Sequence, residues 1–347
     1  MSVMTLEEIS ESAFSLGVQL QAGVNIDDAF ITLSKIQLKY EDFWLSAKAS
    51  IQEGRKISVI MGDIWPKNLV GAIVAGEESG NLPDSLDRIV ESIELQLKIK
   101  EEVGKLRYPF VIMGIGLIIS LLLTFVLVPI IIKSTSKNST VHQDVGFITN
   151  VGNFVQGNWI AILITITGII IALWKWYQTE EAKEQIMTFA LGIPIIREAL
   201  KNLYFGLWAY YMAMMTEAGI TTLDALVMTE IILPRDMRES LTVFHDEIAS
   251  NKSMSAAANL KELDDTDQRK IWWPVYISSA FIVAEQTGDI AAALLRIAPS
   301  LVKTGFRNLG NTVKTLHTIA LAMAAMLLGV PYIIMYSTII QSITAAF

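Results

Sequence analysis

Apolar residues in this chain fall into two patterns. In three places they run on without interruption by charge. Elsewhere they alternate with acidic, basic and amide side chains. The first uninterrupted run, Tyr108 to Ile132, holds no charged residue and is rich in Ile, Leu and Val. At 1.5 Å rise per residue, about 20 helical residues cross a bilayer core, so this run predicts a transmembrane helix. A second run, roughly Asn158 to Tyr177, has Trp159 at one end and Trp174, Trp176 and Tyr177 at the other. That distribution suits two membrane interfaces. The third lies after Lys314, beyond which no side chain is charged. Asn202 to Thr216 is also uncharged, but it is short for a span and reads as the buried helix of a bundle.

Composition agrees with spans joined to water-exposed domains. Of 347 residues, 52% are hydrophobic, yet 18% are charged. Met1 to Glu11 carries three glutamates and no lysine or arginine, so no signal peptide is expected there.

The basic residues orient the spans. Lys98, Lys100, Lys105 and Arg107 precede the first, and only Lys133 and Lys137 lie between the first and second. Lys175 and Lys183 follow the second, and Lys303, Arg307 and Lys314 precede the third. By the positive-inside rule, the N-terminus is cytoplasmic and the C-terminus periplasmic. The expected order is a cytoplasmic helical bundle (1–107), a transmembrane helix (108–132) and a periplasmic connection (133–157). A second transmembrane helix (158–177), a second cytoplasmic bundle (178–313), and a third helix with a short outer C-terminus (314–347) follow.

The two bundles read as copies of one unit. Gln21-Ala22-Gly23-Val24-Asn25 resembles Glu217-Ala218-Gly219-Ile220-Thr221 at an offset of 196. Gly54 to Ser58 resembles Asn251 to Ser255 at 197. Trp65-Pro66 matches Trp273-Pro274, and Glu77 to Leu82 matches Glu285 to Ile290, at 208. Leu86, Arg88 and Ile89 match Leu294, Arg296 and Ile297 at the same offset. The change in offset locates an insertion near Asn259 to Lys270, a charged stretch that reads as a solvated loop. The fold class expected is therefore an all-α membrane protein, with two duplicated cytoplasmic helical bundles plus three transmembrane helices.

The repeated residues have turn chemistry. Thr5 and Glu8 form a capping box for a first helix, and Gly23 and Gly219 close helices as structural turns. Gly80 and Gly288 do the same for helices starting near Pro66 and Pro274. Asn81 or Asp289 then caps the next helix. Glu77 and Glu285 sit in last turns, where the helix dipole disfavours a carboxylate. Arg88 and Arg296 follow each glutamate by the same interval, so each glutamate is expected to pair with its arginine, or to form part of a docking surface.

Several chemistries are excluded. There is no cysteine, hence no disulfide, zinc–thiolate site or cysteine nucleophile. His142, His245 and His317 have no ligand spacing, so no metal site is expected. No Walker A run, nucleophile elbow or His-Glu-x-x-His motif occurs, so no catalytic or cofactor-binding residue is expected. His245-Asp246-Glu247 reads as surface. The net charge of -8 argues against a nucleic-acid partner. An oligomeric transporter or channel is the alternative to a scaffold, although the spans lack ionisable groups in their cores. Gly114, Gly116, Ala320, Ala324 and Gly329 offer small surfaces for close helix packing.

With these residues in view, the run Gly76-Glu77-Glu78-Ser79-Gly80-Asn81-Leu82 resembles the signature of the inner-membrane platform proteins of type IV pilus and type II secretion systems. Ala284 to Ile290, Tyr108-Pro109 and Gly192-Ile193-Pro194 are similar to other parts of that pattern. An aromatic run at Trp208 to Tyr211 replaces an expected arginine. His317 stands where the first copy has a proline, and Ala284 where it has Gly76. These departures resemble the type IVb pilus branch. The resemblance implies a non-catalytic, homo-oligomeric platform in the bacterial inner membrane without cofactors. Its partners would be a hexameric cytoplasmic assembly ATPase, pilin subunits and other inner-membrane assembly proteins. It makes Glu77, Gly80, Arg88, Glu285, Gly288 and Arg296 candidate elbow residues for docking the motor.

Overall fold

The structure, a computed structural model, describes residues 4–128, 130 and 146–344, and these form helices, turns and loops without a strand. The chain divides into two compact units. The first comprises Met1–Val103 and Met187–Leu309, the second Gly104–Ile186 and Gly310–Phe347.

In the first unit, the N-terminal segment contains α1 (Leu6–Gln21), α2 (Ile26–Ile36), α3 (Glu41–Gln52), α4 (Ile57–Met61), α5 (Lys67–Ser79) and α6 (Leu82–Gly104). The start of α1 is closed reciprocally: Glu8 N–H donates to Thr5 Oγ1, and Thr5 N–H donates to the Glu8 carboxylate at 2.8 Å. Beyond its last turn, Gly23 takes a φ of 81°, a left-handed conformation that glycine adopts without a Cβ penalty. Asn25 is extended at the head of α2, but its side chain makes no capping bond. Ile9, Leu16, Phe30, Leu33 and Trp44 are fully buried between these helices. Trp44 stacks on Phe30 and donates its indole N–H to Gln37, which supplies the partner a buried indole needs.

The second segment of this unit carries α11 (Pro194–Glu217), α12 (Thr222–Thr229), α13 (Arg235–Ala249), α14 (Met254–Ala258), α15 (Gln268–Trp272), α16 (Val275–Thr287) and the start of α17 (Ile290–Thr344). Pro194 occupies the first turn of α11, where a missing N–H costs nothing. The uncharged stretch of α11 is buried: Trp208 and Tyr211 are both 0% exposed, and Trp208 belongs to a ring cluster with Phe205, Phe244, Trp273 and Phe281. At the crossing of α11 and α17, a Cβ added to Gly206 would lie 2.7 Å from Val302, and one added to Gly305 2.6 Å from Leu203. Gly219 closes α11 with φ 77°, and Thr221 caps α12 by accepting from Asp224 N–H.

The insertion departs from the solvated loop expected of it. Its first part is largely exposed, but Arg269 is only 1% exposed. The guanidinium donates to Glu247, to Asp267 and to the Ala257 carbonyl. Two carboxylates offset the cost of burying one cation. Of the polar triplet expected at the surface, Glu247 is tied up by Arg269 and Lys252, while His245 and Asp246 pair in an exposed position.

The second unit contains α7 (Arg107–Leu122), α8 (Gly146–Gly157), α9 (Trp159–Tyr177), the first part of α10 (Glu180–Gly192), and the later part of α17. Two helical stretches, Leu82–Leu127 and Ile290–Ser337, are long and apolar enough to cross a membrane. Along α7, Phe110, Val111, Ile115, Ile118 and Leu122 are exposed, as lipid-facing side chains would be. The helix widens into a π-turn at Leu123–Leu127. Gly116 meets Ala324 so closely that an added Cβ would lie 2.9 Å from the alanine methyl, and Ser120 Oγ donates to the Leu327 carbonyl. Tyr108 stacks on His317, with ring centroids 5.6 Å apart. Arg107 donates to the Tyr177 hydroxyl at 2.5 Å and lies over its ring.

These divisions differ from the expected domain edges at 107, 177 and 313. Charge marked those edges, whereas helices continue across the first and third and packing sets the units. Residues 129, 131 and 132 of the expected first transmembrane helix, 133–145 of the expected periplasmic connection and 345–347 of the expected outer C-terminus lie outside the described residues; the end of that connection is α8.

Candidate functional site

Two glycine elbows organise the candidate site. Helix α5 starts after Pro66 and ends at Gly80, whose φ is 72°. Helix α16 starts after Pro274 and ends at Gly288, with φ 74°. At the second elbow, Asp289 accepts from Ala292 N–H at 2.8 Å, so the returning helix is capped as soon as it begins. Pro83 falls within the first turn of α6, where a proline is tolerated. The first elbow is tight: a Cβ at Gly76 would come within 2.7 Å of Ser85 Oγ and 2.8 Å of its Cβ.

The expected pairing of Glu77 with Arg88 is not what the structure contains. The Glu77 carboxylate accepts from the backbone N–H of Ile57 and from Ser58 Oγ. It therefore sits at the N-terminus of α4, whose first N–H groups have no partner within the helix. A carboxylate is unfavourable at the end of its own helix but favourable at the beginning of a neighbour. The same solution recurs at the other elbow. Glu285 accepts from Ser255 N–H at the start of α14, and the Ser255 hydroxyl and backbone, with Ser253, hold its carboxyl below the usual range.

Arg88 instead forms an ion pair with Glu217, the last residue of α11. This contact crosses from the N-terminal segment of the unit to its second segment. It borders a pocket of about 220 Å³ lined by Ala72, Ser79, Asp84, Arg88, Met214 and Glu217 among others. Arg296, expected to pair with Glu285, is exposed and makes no ion pair among the described residues.

Glu77, Gly80 and Arg88 thus lie at one elbow, and Glu285, Gly288 and Arg296 at the other, but neither glutamate bonds its arginine. Sequence reasoning missed Ser58, Ser255 and Glu217 as partners. The two serines stood in repeated segments and signalled a shared role. No local signal marked Glu217, which lies 129 positions from Arg88. Among the described residues, no group of three His, Asp or Glu side chains is arranged to hold a metal. The elbows offer capped helix ends, and the first also an ion pair beside a pocket of mixed polar and apolar lining.

Known proteins similar to this chain can be set beside that geometry. Residues 13–129, from within α1 into the first apolar run, match the family described as Type II secretion system (T2SS), protein F. The type II secretion system protein F of Vibrio cholerae is 21% identical over 342 residues, covering 93% of this chain and 79% of its own length. The type IV pilus assembly protein PilC of Thermus thermophilus is 18% identical over 303 residues, covering 84% of this chain and 72% of its own. The type IV pilus assembly protein TapC of Aeromonas hydrophila is 23% identical over 232 residues, covering 65% and 54%. The similarity to a type II secretion system protein F domain is therefore placed over residues 13–129, from within α1 to just beyond α7.

Proposed function

We propose that this protein is an inner-membrane platform for assembling a type IV pilus or the pseudopilus of a type II secretion system. The similarity to a type II secretion protein F along nearly the whole chain carries this reading. The platform couples a cytoplasmic assembly ATPase to the insertion of pilin subunits, without itself catalysing a reaction. Its departures from the family signature favour the type IVb pilus branch.

The architecture we infer is two copies of one unit, each a cytoplasmic bundle followed by a span, with α9 as a third span. Several observations support the duplication. The paired glycines share their φ values, and both glutamates cap a short helix. Gly116 and Ala324, which pack together, are separated by the same offset of 208 that relates the elbows. Support for the third span comes from the second unit. Arg107 at the start of α7 bonds Tyr177 at the end of α9, so these helices run in opposite senses and α9 returns the chain to the end from which α7 left. With the basic residues at that end, the N-terminus is cytoplasmic and the C-terminus periplasmic. The elbow surface around Glu77, Gly80 and Arg88 is the favoured docking site for the ATPase.

Deletion of the gene, with neighbouring genes intact and expressed, tests the role. The expected result is loss of surface filaments or of secreted substrate, restored by the wild-type chain. Normal piliation and secretion in the deletion strain would overturn the reading. Copurification with an ATPase, weakened by charge reversal at Arg88, tests the docking surface.

A further inference from the structure

The contact between the two segments of the first unit is directional. Helix α11 lies on α5 and α6. A Cβ added to Gly71 of α5 would be 2.3 Å from the Met215 sulfur, and Tyr211 donates its hydroxyl to Gln96 at 3.3 Å. Met214 and Met215 are buried beneath this contact, 4% and 0% exposed. Large side chains on α11 thus fill a face of α5 that carries Gly71 and Ala75, with Asn68 one turn earlier along the same side.

By the internal correspondence proposed above, α1 is the counterpart of α11 and α16 that of α5. Their corresponding faces are open in part: Ser15 and Gln19, at the positions of Tyr211 and Met215, are half-buried and bond each other, and the residues beside them are exposed. Phe14 and Val18, at the positions of Tyr210 and Met214, are 58% and 48% exposed. On α16, Tyr276 and Val283, at the positions of Asn68 and Ala75, are 54% and 48% exposed, and Ser279 at the position of Gly71 is exposed too. Arg296, at the position of Arg88, is exposed without an ion pair among the described residues. The unit therefore has a partly uncovered knob helix in one segment and an uncovered receiving helix in the other.

Their sizes are complementary in reverse. The intrachain contact sets Tyr211, Met214 and Met215 against Asn68, Gly71 and Ala75. The open faces set Ser15, Val18 and Gln19 against Tyr276, Ser279 and Val283. What the knob lost in volume, the receiving face gained, as constant packing density across an interface requires. We infer that α1 of one chain docks on α16 of a second copy, repeating between chains the contact that α11 makes with α5 within one. Such a contact is heterologous, so copies join head to tail into a closed ring or an open series. Arg296 then faces Gln21 of the neighbour, where Arg88 faces Glu217. The junction lacks the ion pair of its intrachain counterpart.

This inference rests on the internal correspondence and not on the platform role, so cross-linking succeeds or fails whatever the deletion phenotype. The chain has no cysteine, which allows a clean test in full-length protein in native membranes. The variant V18C/V283C should form a ladder of oxidised dimers and larger species. Chains bearing V18C alone and V283C alone should form dimers only when mixed. The variant A75C/M214C, placed in the intrachain contact, should close within the monomer and serves as the positive control. If the control closes while V18C/V283C stays monomeric, the proposal fails. Efficient self-cross-linking of V18C alone would point to an isologous dimer and also overturn it. So would quenching of labels at both positions by a lipid-borne quencher, which would place these faces on the membrane. Val283→Asp, an exposed site where folding should survive, supplies a further check. Chains bearing V18C, mixed with V283D/Q286C chains, should cross-link about tenfold less than when mixed with Q286C chains. Equal cross-linking in the two mixtures would count against α16 as the receiving face.

Discussion

Arg88 and Glu217 form an ion pair that joins the N-terminal segment of the helical unit to the segment beginning at Met187. Both side chains are partly exposed, so water screens the attraction and the pair contributes specificity more than stability. Arg88→Ala should cost less than about 1 kcal/mol. Arg88→Glu should cost more, because it faces Glu217 with a like charge, and adding Glu217→Arg should recover most of the loss. Thermal unfolding of the full chain in detergent measures all three. A reversal that is as benign as the alanine change would mean that the two groups do not interact.

Glu77 behaves differently, because it caps α4 rather than meeting an arginine. Glu77→Ala should destabilise α4 by about 0.5–2 kcal/mol, the usual range for losing a helix cap. Hydrogen exchange should quicken at the Ile57 and Ser58 amides, with little change at Arg88. Glu285→Ala should produce the matching effect at Ser255. Exchange that is unchanged at residue 57 but faster around residue 88 would restore the pairing rejected above.

Acid should act on the first helix through Glu8. Its carboxyl is pushed down to about 2, first by the hydrogen bond from Lys39, then by Thr5 N–H and the Tyr40 hydroxyl. The folded value is below the unfolded one. This contribution is therefore complete above the ordinary value of 4.5 and is lost as pH falls toward 2. Following the Glu8 carboxyl by NMR across that interval checks the shift. Glu8→Gln should remove this part of the acid dependence, and an unchanged pH profile in that variant would refute the assignment.

Arg269 is the strongest candidate for a single point of failure in the second segment. Its removal leaves Glu247 and Asp267 side by side without their shared cation. Loss of one partner from a buried ion pair costs about 3–5 kcal/mol, and the partial exposure of both carboxylates argues for the lower end. Arg269→Ala should lower the unfolding temperature and expose residues 259–268 to proteolysis. A variant as protease-resistant as wild type would show that the insertion is held by other contacts.

What could be read in the sequence was local. The Thr5–Glu8 capping box, the proline starts of α5 and α16 and the glycine stops at residues 23, 80, 219 and 288 each depend on neighbours within a helical turn. The apolar runs were equally legible, because a bilayer demands uninterrupted length. Tertiary packing decided the rest. Glu77 and Glu285 looked misplaced beside their own helix ends, and only the fold brought α4 and α14 within reach of them. Arg88 had a glutamate nearby in sequence but found Glu217 instead, and a charged stretch that looked solvated supplied the buried Arg269. Helix starts and stops are set by backbone groups a few bonds away. A charged side chain takes whichever partner packing delivers, and that choice is made only when distant helices meet.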